Sequence, residues 1–198
     1  MKGNWGKSLS SGLLGVIFCL AAAPQVSSNP GRANNPLDSI AQAYPTPERL
    51  AAFLHRNMIF QDDLRLFGQI DYWQAPEEMI ARRQGDCEDY ALLAKDLLNR
   101  QGTEAFVFSL YGEAGYAHTV CVFMEGGRYN VMNQDRLMRL QAGSLEELAD
   151  RLYPRWNWGA VAERRGHRGR AVRVLIHAGF GDKIQSTLPD SKMANPAN

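Results

Sequence analysis

The sequence predicts an α+β fold, and three observations carry the prediction. Helical periodicity dominates the first half of the domain, β-branched and aromatic runs the second, and a Gly-Gly pair separates two of those runs. Helices that precede strands joined by tight turns give N-terminal helices packed on a mostly antiparallel sheet. The 198 residues carry a formal charge of +1, from 22 basic and 21 acidic side chains. That balance suits one domain and gives no electrostatic footprint for a nucleic-acid partner. The one basic cluster, "ERRGHRGRAVR", reads as a solvated loop.

The N-terminus does not belong to that fold. Lys2 and Lys7 precede an apolar run, Leu13 to Ala23, followed by "APQVSSNPGRANNP". This is the charged, apolar, small-residue order of a secretory signal peptide, with a run too short to span a bilayer comfortably. Pro24 disfavours cleavage after Ala23, so Ser28 is read as the last residue removed, giving a signal over 1–28. Phe18 before Cys19 argues against lipid attachment, and an uncleaved anchor is the alternative. The mature chain is therefore expected in the periplasm or outside the cell, without stable membrane insertion. Residues 29–43, rich in Asn, Pro, Gly and Ser, read as a flexible leader.

The domain proper is read over 44–180. Thr46 is an N-cap with Pro47 at the first helical position, and Leu50, Phe53 and Leu54 follow at helical period. "QDDLRLFGQIDYW" has no clean period and reads as a connection. Pro76 opens a short helix that Gly85 ends. The central helix spans Cys87 to Arg100, with Tyr90, Ala91, Ala94, Leu97 and Leu98 as its apolar stripe and Gly102 as its stop. "EAFVFSLY", "HTVCVFM" and "RYNVM" are strands, the last two joined at Gly126-Gly127, where both residues can take positive φ. Ser144 and Glu147 have capping-box spacing and start another helix, and "AVRVLIH" is a last strand. Residues 181–198 are polar, contain Pro189 and Pro196, and read as a disordered tail.

Cys87 falls in the first turn of the central helix, where unpaired N–H groups and the helix dipole stabilise a thiolate. Such positions lower a thiol pKa from about 8.5 to roughly 3.5–7.5, and the same N–H groups can hold the oxyanion formed on attack at a carbonyl. Asp86, Glu88 and Asp89 oppose this, so a basic partner has to be near. His118, at the head of its strand, is the candidate base, held by a third polar group. If Gly126 and Gly127 centre the turn, His118 faces Asp135, with Asn133 diagonal on the same face. His55, His167 and His177 read as structural or exposed. Once Cys19 leaves with the signal, Cys87 and Cys121 could instead form a disulfide. If His118 meets Cys87, Cys121 points to the opposite face and becomes a small core residue, so the two readings exclude each other.

"YWQAPEEMIARRQGDCEDYALLAKDLLNRQG" and "AHTVCVFMEGGRYNVMNQDRL" together resemble the bacterial transglutaminase-like cysteine proteinases. The resemblance covers residues 72–140 and is most specific around "GDCEDYA". It implies a papain-like transglutaminase core, with Cys87 as nucleophile and His118 as base. Alignment on "RL" places Asn133 at the third position, whereas hairpin register favours Asp135, which is the preferred candidate. Adhesin-cleaving members of the family bind calcium through acids flanking the cysteine, here Asp86 and Glu88 with Asp89 beside them. The alternative makes Asp86 an N-cap and leaves the others to complement the helix dipole. The resemblance implies no required cofactor, and Ca²⁺ is the one ion it brings in. Trp73 and Pro76 read as packing and helix initiation, and Gln74 as a candidate oxyanion donor.

The function expected is that of an exported, cysteine-dependent amide hydrolase acting on a protein or peptide in the cell envelope. An amine in place of water would make it a transglutaminase-type acyl transferase. A non-catalytic binding module on the same scaffold is the third possibility.

Overall fold

The computed structural model describes residues 35–165 and 169–177, all within the compact unit Asn34–Asn198. The expected signal peptide and the expected tail lie outside the described residues. The elements run α1 (Pro36–Ala43), α2 (Pro47–Asn57), β1 (Ile59–Phe60), α3 (Asp63–Phe67), α4 (Pro76–Arg82), β2 (Gln84–Gly85) and α5 (Cys87–Arg100). Then follow β3 (Ala105–Gly112), β4 (Ala117–Glu125), β5 (Arg128–Asn133), β6 (Arg136–Ala142), α6 (Leu145–Leu152), β7 (Trp156–Arg165) and β8 (Gly169–His177). The fold is α+β. No described helix is long and apolar enough to cross a membrane.

Six strands form one antiparallel sheet in the order β6-β5-β4-β3-β7-β8, and β1 and β2 form a separate parallel pair. Alternation along the strands divides the core. Val107, Cys121, Phe123 and Met132 pack with α1, α2, α4 and α5 on one face. Phe108, Leu110, Val120, Val122 and Val131 pack with Leu148 and Ala149 of α6 on the other. Because α5 lies between the sheet and other helices, Leu92 and Leu93 are buried as well, and its apolar surface is wider than a single stripe. The hairpin between β4 and β5 turns at Gly126 and Gly127, with φ of 58° and 74°, and its register is the one the Gly-Gly centre predicts.

Several expectations need correction. Residues 36–43 are a helix rather than a leader: Asn35 accepts the Leu37 N–H as N-cap, Pro36 starts the first turn, and Leu37 and Ala41 join the core. The connection over 61–73 contains α3, capped by Asp62 and stopped by Gly68 at φ 65°. β6 and β7 are strands that patterning did not reveal. The described residues of the basic cluster, 163–165 and 169–173, are strand rather than loop, paired from Glu163↔Ala171 to Arg165↔Gly169 at the ends of the β7–β8 ladder.

Candidate active site

Cys87 is the first residue of α5, with Asp86 as an N-cap of extended backbone. A buried polar brace fixes this helix start. Asp89 Oδ1 accepts the Gln74 backbone N–H at 2.8 Å, and its Oδ2 accepts the Gln74 side-chain amide at 2.5 Å and the Asp86 N–H at 3.3 Å. Position 85 requires glycine, because a Cβ there would lie 2.6 Å from Asp89 Oδ2 and 2.9 Å from Gln74 Nε2. The second amide hydrogen of Gln74 goes to the Gln84 carbonyl at 3.0 Å. Its donors are therefore consumed, and Gln74 supports the helix start instead of offering an oxyanion donor. Trp73 is buried in the core, as packing demands.

The Cys87 thiol donates to Glu88 Oε2 at 3.1 Å, and the backbone N–H of Thr119 lies on the sulfur's side, where it favours the thiolate. Thr119 directly follows His118 on β4 and lies beyond Cys121↔Met132, the last rung of the β4–β5 ladder at that end. The head of α5 and the head of β4 thus meet at the sulfur. Burial above all, and then Glu88, push the Cys87 thiol well above its usual range, while Thr119 acts in the opposite direction. Burial and Glu88 together outweigh the stabilisation expected at a helix start. Both cysteines are free, and Cys121 is buried in the core on the α5 face, so no disulfide links them.

His118 Nε2–H donates to Asn133 Oδ1 at 2.8 Å. A carbonyl oxygen only accepts, so this bond puts the proton on Nε2 and leaves the Nδ1 lone pair as the basic site. Among the described residues no hydrogen bond joins the Cys87 sulfur to this imidazole. Asp135 is not the residue that orients His118. β5 ends at Asn133 and the chain turns through Gln134 at φ 55°, so the ladder that would have set Asp135 opposite His118 is never formed. Asp135 instead meets His55 Nδ1 at 2.7 Å, where the His55 side chain is 75% exposed. His167 and the side chain of His177 lie outside the described residues.

Tyr116 stands just before β4. Its ring stacks on Tyr153 at 3.9 Å between centroids, lies 6.3 Å from the His118 ring, and is within electrostatic reach of the Cys87 sulfur.

Asp86 and Glu88 belong to a larger acidic cluster. Ligand atoms of Asp63, Asp86 and Asp89 lie within 4.8 Å of one another, as do those of Asp63, Asp71 and Glu88, and of Asp86, Cys87 and Glu88. Asp63 is 2% exposed and accepts the Tyr72 N–H, yet its Oδ1 and that of Asp86 are buried without a hydrogen-bond partner. Burial, opposed by that hydrogen bond and reinforced by Glu88, Asp71 and Asp62, raises Asp63 to about 6. Burial likewise lifts Asp89 to about 7, and raises Asp86 with help from Glu88, Asp89 and Asp63. Orphaned carboxylate oxygens from two segments fit a hard, oxygen-seeking cation such as Ca²⁺. Asp63 and Asp71 escaped sequence reading because their segment has no clean period, although Asp62 and Gly68 do mark a helix start and stop.

A family profile described as a transglutaminase-like domain matches residues 38–146. No curated protein matches the sequence. Among solved structures, a candidate cysteine protease from Cytophaga hutchinsonii aligns at 14% identity and a TM-score of 0.42, over 75% of this chain and 53% of that one. The chain thus spans about half of that protein's length. Calcium-bound LapG of Legionella pneumophila aligns at 15% identity and a TM-score of 0.46, over 77% and 80% of the two chains. The EGTA-treated form of LapG aligns at 16% and 0.40, over 63% and 79%. With its profile matched over more than half its length, the chain belongs to the transglutaminase-like domain family.

Proposed function

We propose that the protein is an exported cysteine-dependent amide hydrolase, acting on a protein or peptide through a thioester acyl-enzyme. Cys87 is the nucleophile, His118 the base and acid, and Asn133 the group that orients the imidazole. The observation that carries this reading is the meeting of the α5 head with β4, where the Thr119 N–H reaches the sulfur one residue from His118.

In this mechanism the thiol leaves Glu88 and passes its proton to His118 Nδ1, while Nε2–H stays on Asn133. The sulfur adds to the carbonyl carbon, and the resulting oxyanion is held by the N–H groups at the start of α5. Collapse breaks the C–N bond as the imidazolium protonates the departing amine. Water, deprotonated by His118, then attacks the thioester, and loss of the carboxylic acid restores the thiol. Asp63, Asp71, Asp86 and Glu88 would hold Ca²⁺. When bound, that ion supplies positive charge that offsets the acids which disfavour the thiolate.

Iodoacetamide labelling of Cys87 at neutral pH, with and without Ca²⁺, tests the assignment. Labelling that falls in His118→Ala, together with loss of turnover in Cys87→Ser, is the expected result. Slow labelling with the same pH profile in His118→Ala would favour a binding module instead.

A further inference from the structure

We propose that the Tyr116 hydroxyl is a second donor to the oxyanion formed when Cys87 adds to a carbonyl, complementing the backbone N–H at the head of α5. This rests on the reading of Cys87 as a nucleophile. A tetrahedral oxyanion in a half-buried site calls for more than one donor, and the other candidate donors around the heads of α5 and β4 are engaged. The Gln74 amide is bound to Asp89 and Gln84, the Thr119 N–H acts on the sulfur itself, and the His118 Nε2–H is bound to Asn133. Tyr116 is 37% exposed, and its hydroxyl has no hydrogen-bond partner among the described residues.

The ring is held in place. It stacks on Tyr153 with 19° between planes, and Tyr153 presses against bare backbone at Gly112, where a Cβ would lie 2.4 Å from Tyr153 Cε1. The turn that carries Tyr116 is closed by the Gly112 N–H on the Tyr116 carbonyl at 2.9 Å and the Tyr116 N–H on the Glu113 carbonyl at 3.0 Å. Burial, reinforced by Tyr153 and Cys87, raises the phenol pKa, so the hydroxyl remains a neutral donor at physiological pH. A donor held this way needs no reorganisation as negative charge develops.

Tyr116→Phe keeps the ring and its stack and removes only the hydroxyl. Two probes of the full chain separate the possible effects. Acylation of Cys87 by p-nitrophenyl acetate passes through an oxyanion, whereas alkylation by iodoacetamide does not. Tyr116→Phe should slow the acylation burst about 10²- to 10³-fold with little change in the half-saturating ester concentration. The alkylation rate should stay within about twofold of the parent, since the thiol and its base are untouched. Normal acylation in Tyr116→Phe overturns the proposal. So does an equal fall in both rates, which would place the hydroxyl's effect on the thiol. If the parent protein is neither acylated nor alkylated in a His118-dependent way, the nucleophile assignment fails first and takes this inference with it.

Discussion

Asp63→Asn tests whether the buried acids strain the cation-free fold. Asp63 is nearly inaccessible, and its carboxyl is raised from 3.8 to about 6, chiefly by burial. Because the folded value exceeds the unfolded one, the folded state binds the proton more tightly. Stability from this source is complete below about pH 4 and is lost as pH rises through about 6. About two pKa units at 1.36 kcal/mol each give a cost of about 3 kcal/mol at pH 7.5, and about 1 kcal/mol at pH 4.5. Asn retains an oxygen for the Tyr72 N–H and carries no charge. In EDTA the variant should therefore melt about 6–12 °C higher at pH 7.5, and only a few degrees higher at pH 4.5. With Ca²⁺ at about a thousand times Kd the order at pH 7.5 should reverse, because saturation at that level adds about 4.1 kcal/mol to a protein that binds the ion, more than the charge costs. Thermal melts at the two pH values, with EDTA or Ca²⁺, read all four conditions. Equal gains at both pH values, or a loss in EDTA at pH 7.5, would refute the reasoning.

Glu88→Gln removes the charge that, after burial, most raises the Cys87 thiol, so the pH–rate profile for iodoacetamide labelling should move to lower pH. An unmoved profile would show that burial alone sets the thiol. Asn133→Ala should slow p-nitrophenyl acetate acylation by about 10- to 100-fold, the worth of one orienting hydrogen bond. Asp135→Ala should leave the rate within about threefold, because its contact is the exposed His55; the opposite ranking would restore Asp135 as the orienting group. Cys121→Ser should cost about 1–3 kcal/mol in urea unfolding by burying a hydroxyl, while Cys87 labelling stays unchanged.

The parts of the fold legible in the sequence are those set by neighbours along the chain. Thr46-Pro47 and Ser144 start helices where they should, and α5 runs from Cys87 to Arg100 as its stripe and Gly102 indicate. β6 is hidden in the sequence because "RLMRLQA" is built from residues at home in helices, and its strand state comes from pairing with β5. β7 is hidden in the sequence because Gly159 interrupts its pattern. That glycine is required by Phe108, whose ring would lie 2.6 Å from a Cβ there.

The site divides along the same line. Sequence alone placed Cys87 at a helix head, His118 at a strand head and Cys121 on the face opposite His118, because helix caps and strand alternation are local rules; that the face Cys121 takes is the one α5 covers is a tertiary outcome. Tertiary structure decided that Asn133 and not Asp135 holds the imidazole, since the chain turns at Gln134 before the ladder can extend that far. It also decided that Glu88 takes the thiol and that Asp63 and Asp71 join the acids around the helix head. Those outcomes depend on where burial strips water from charges brought together from separate segments. No spacing along the chain encodes that.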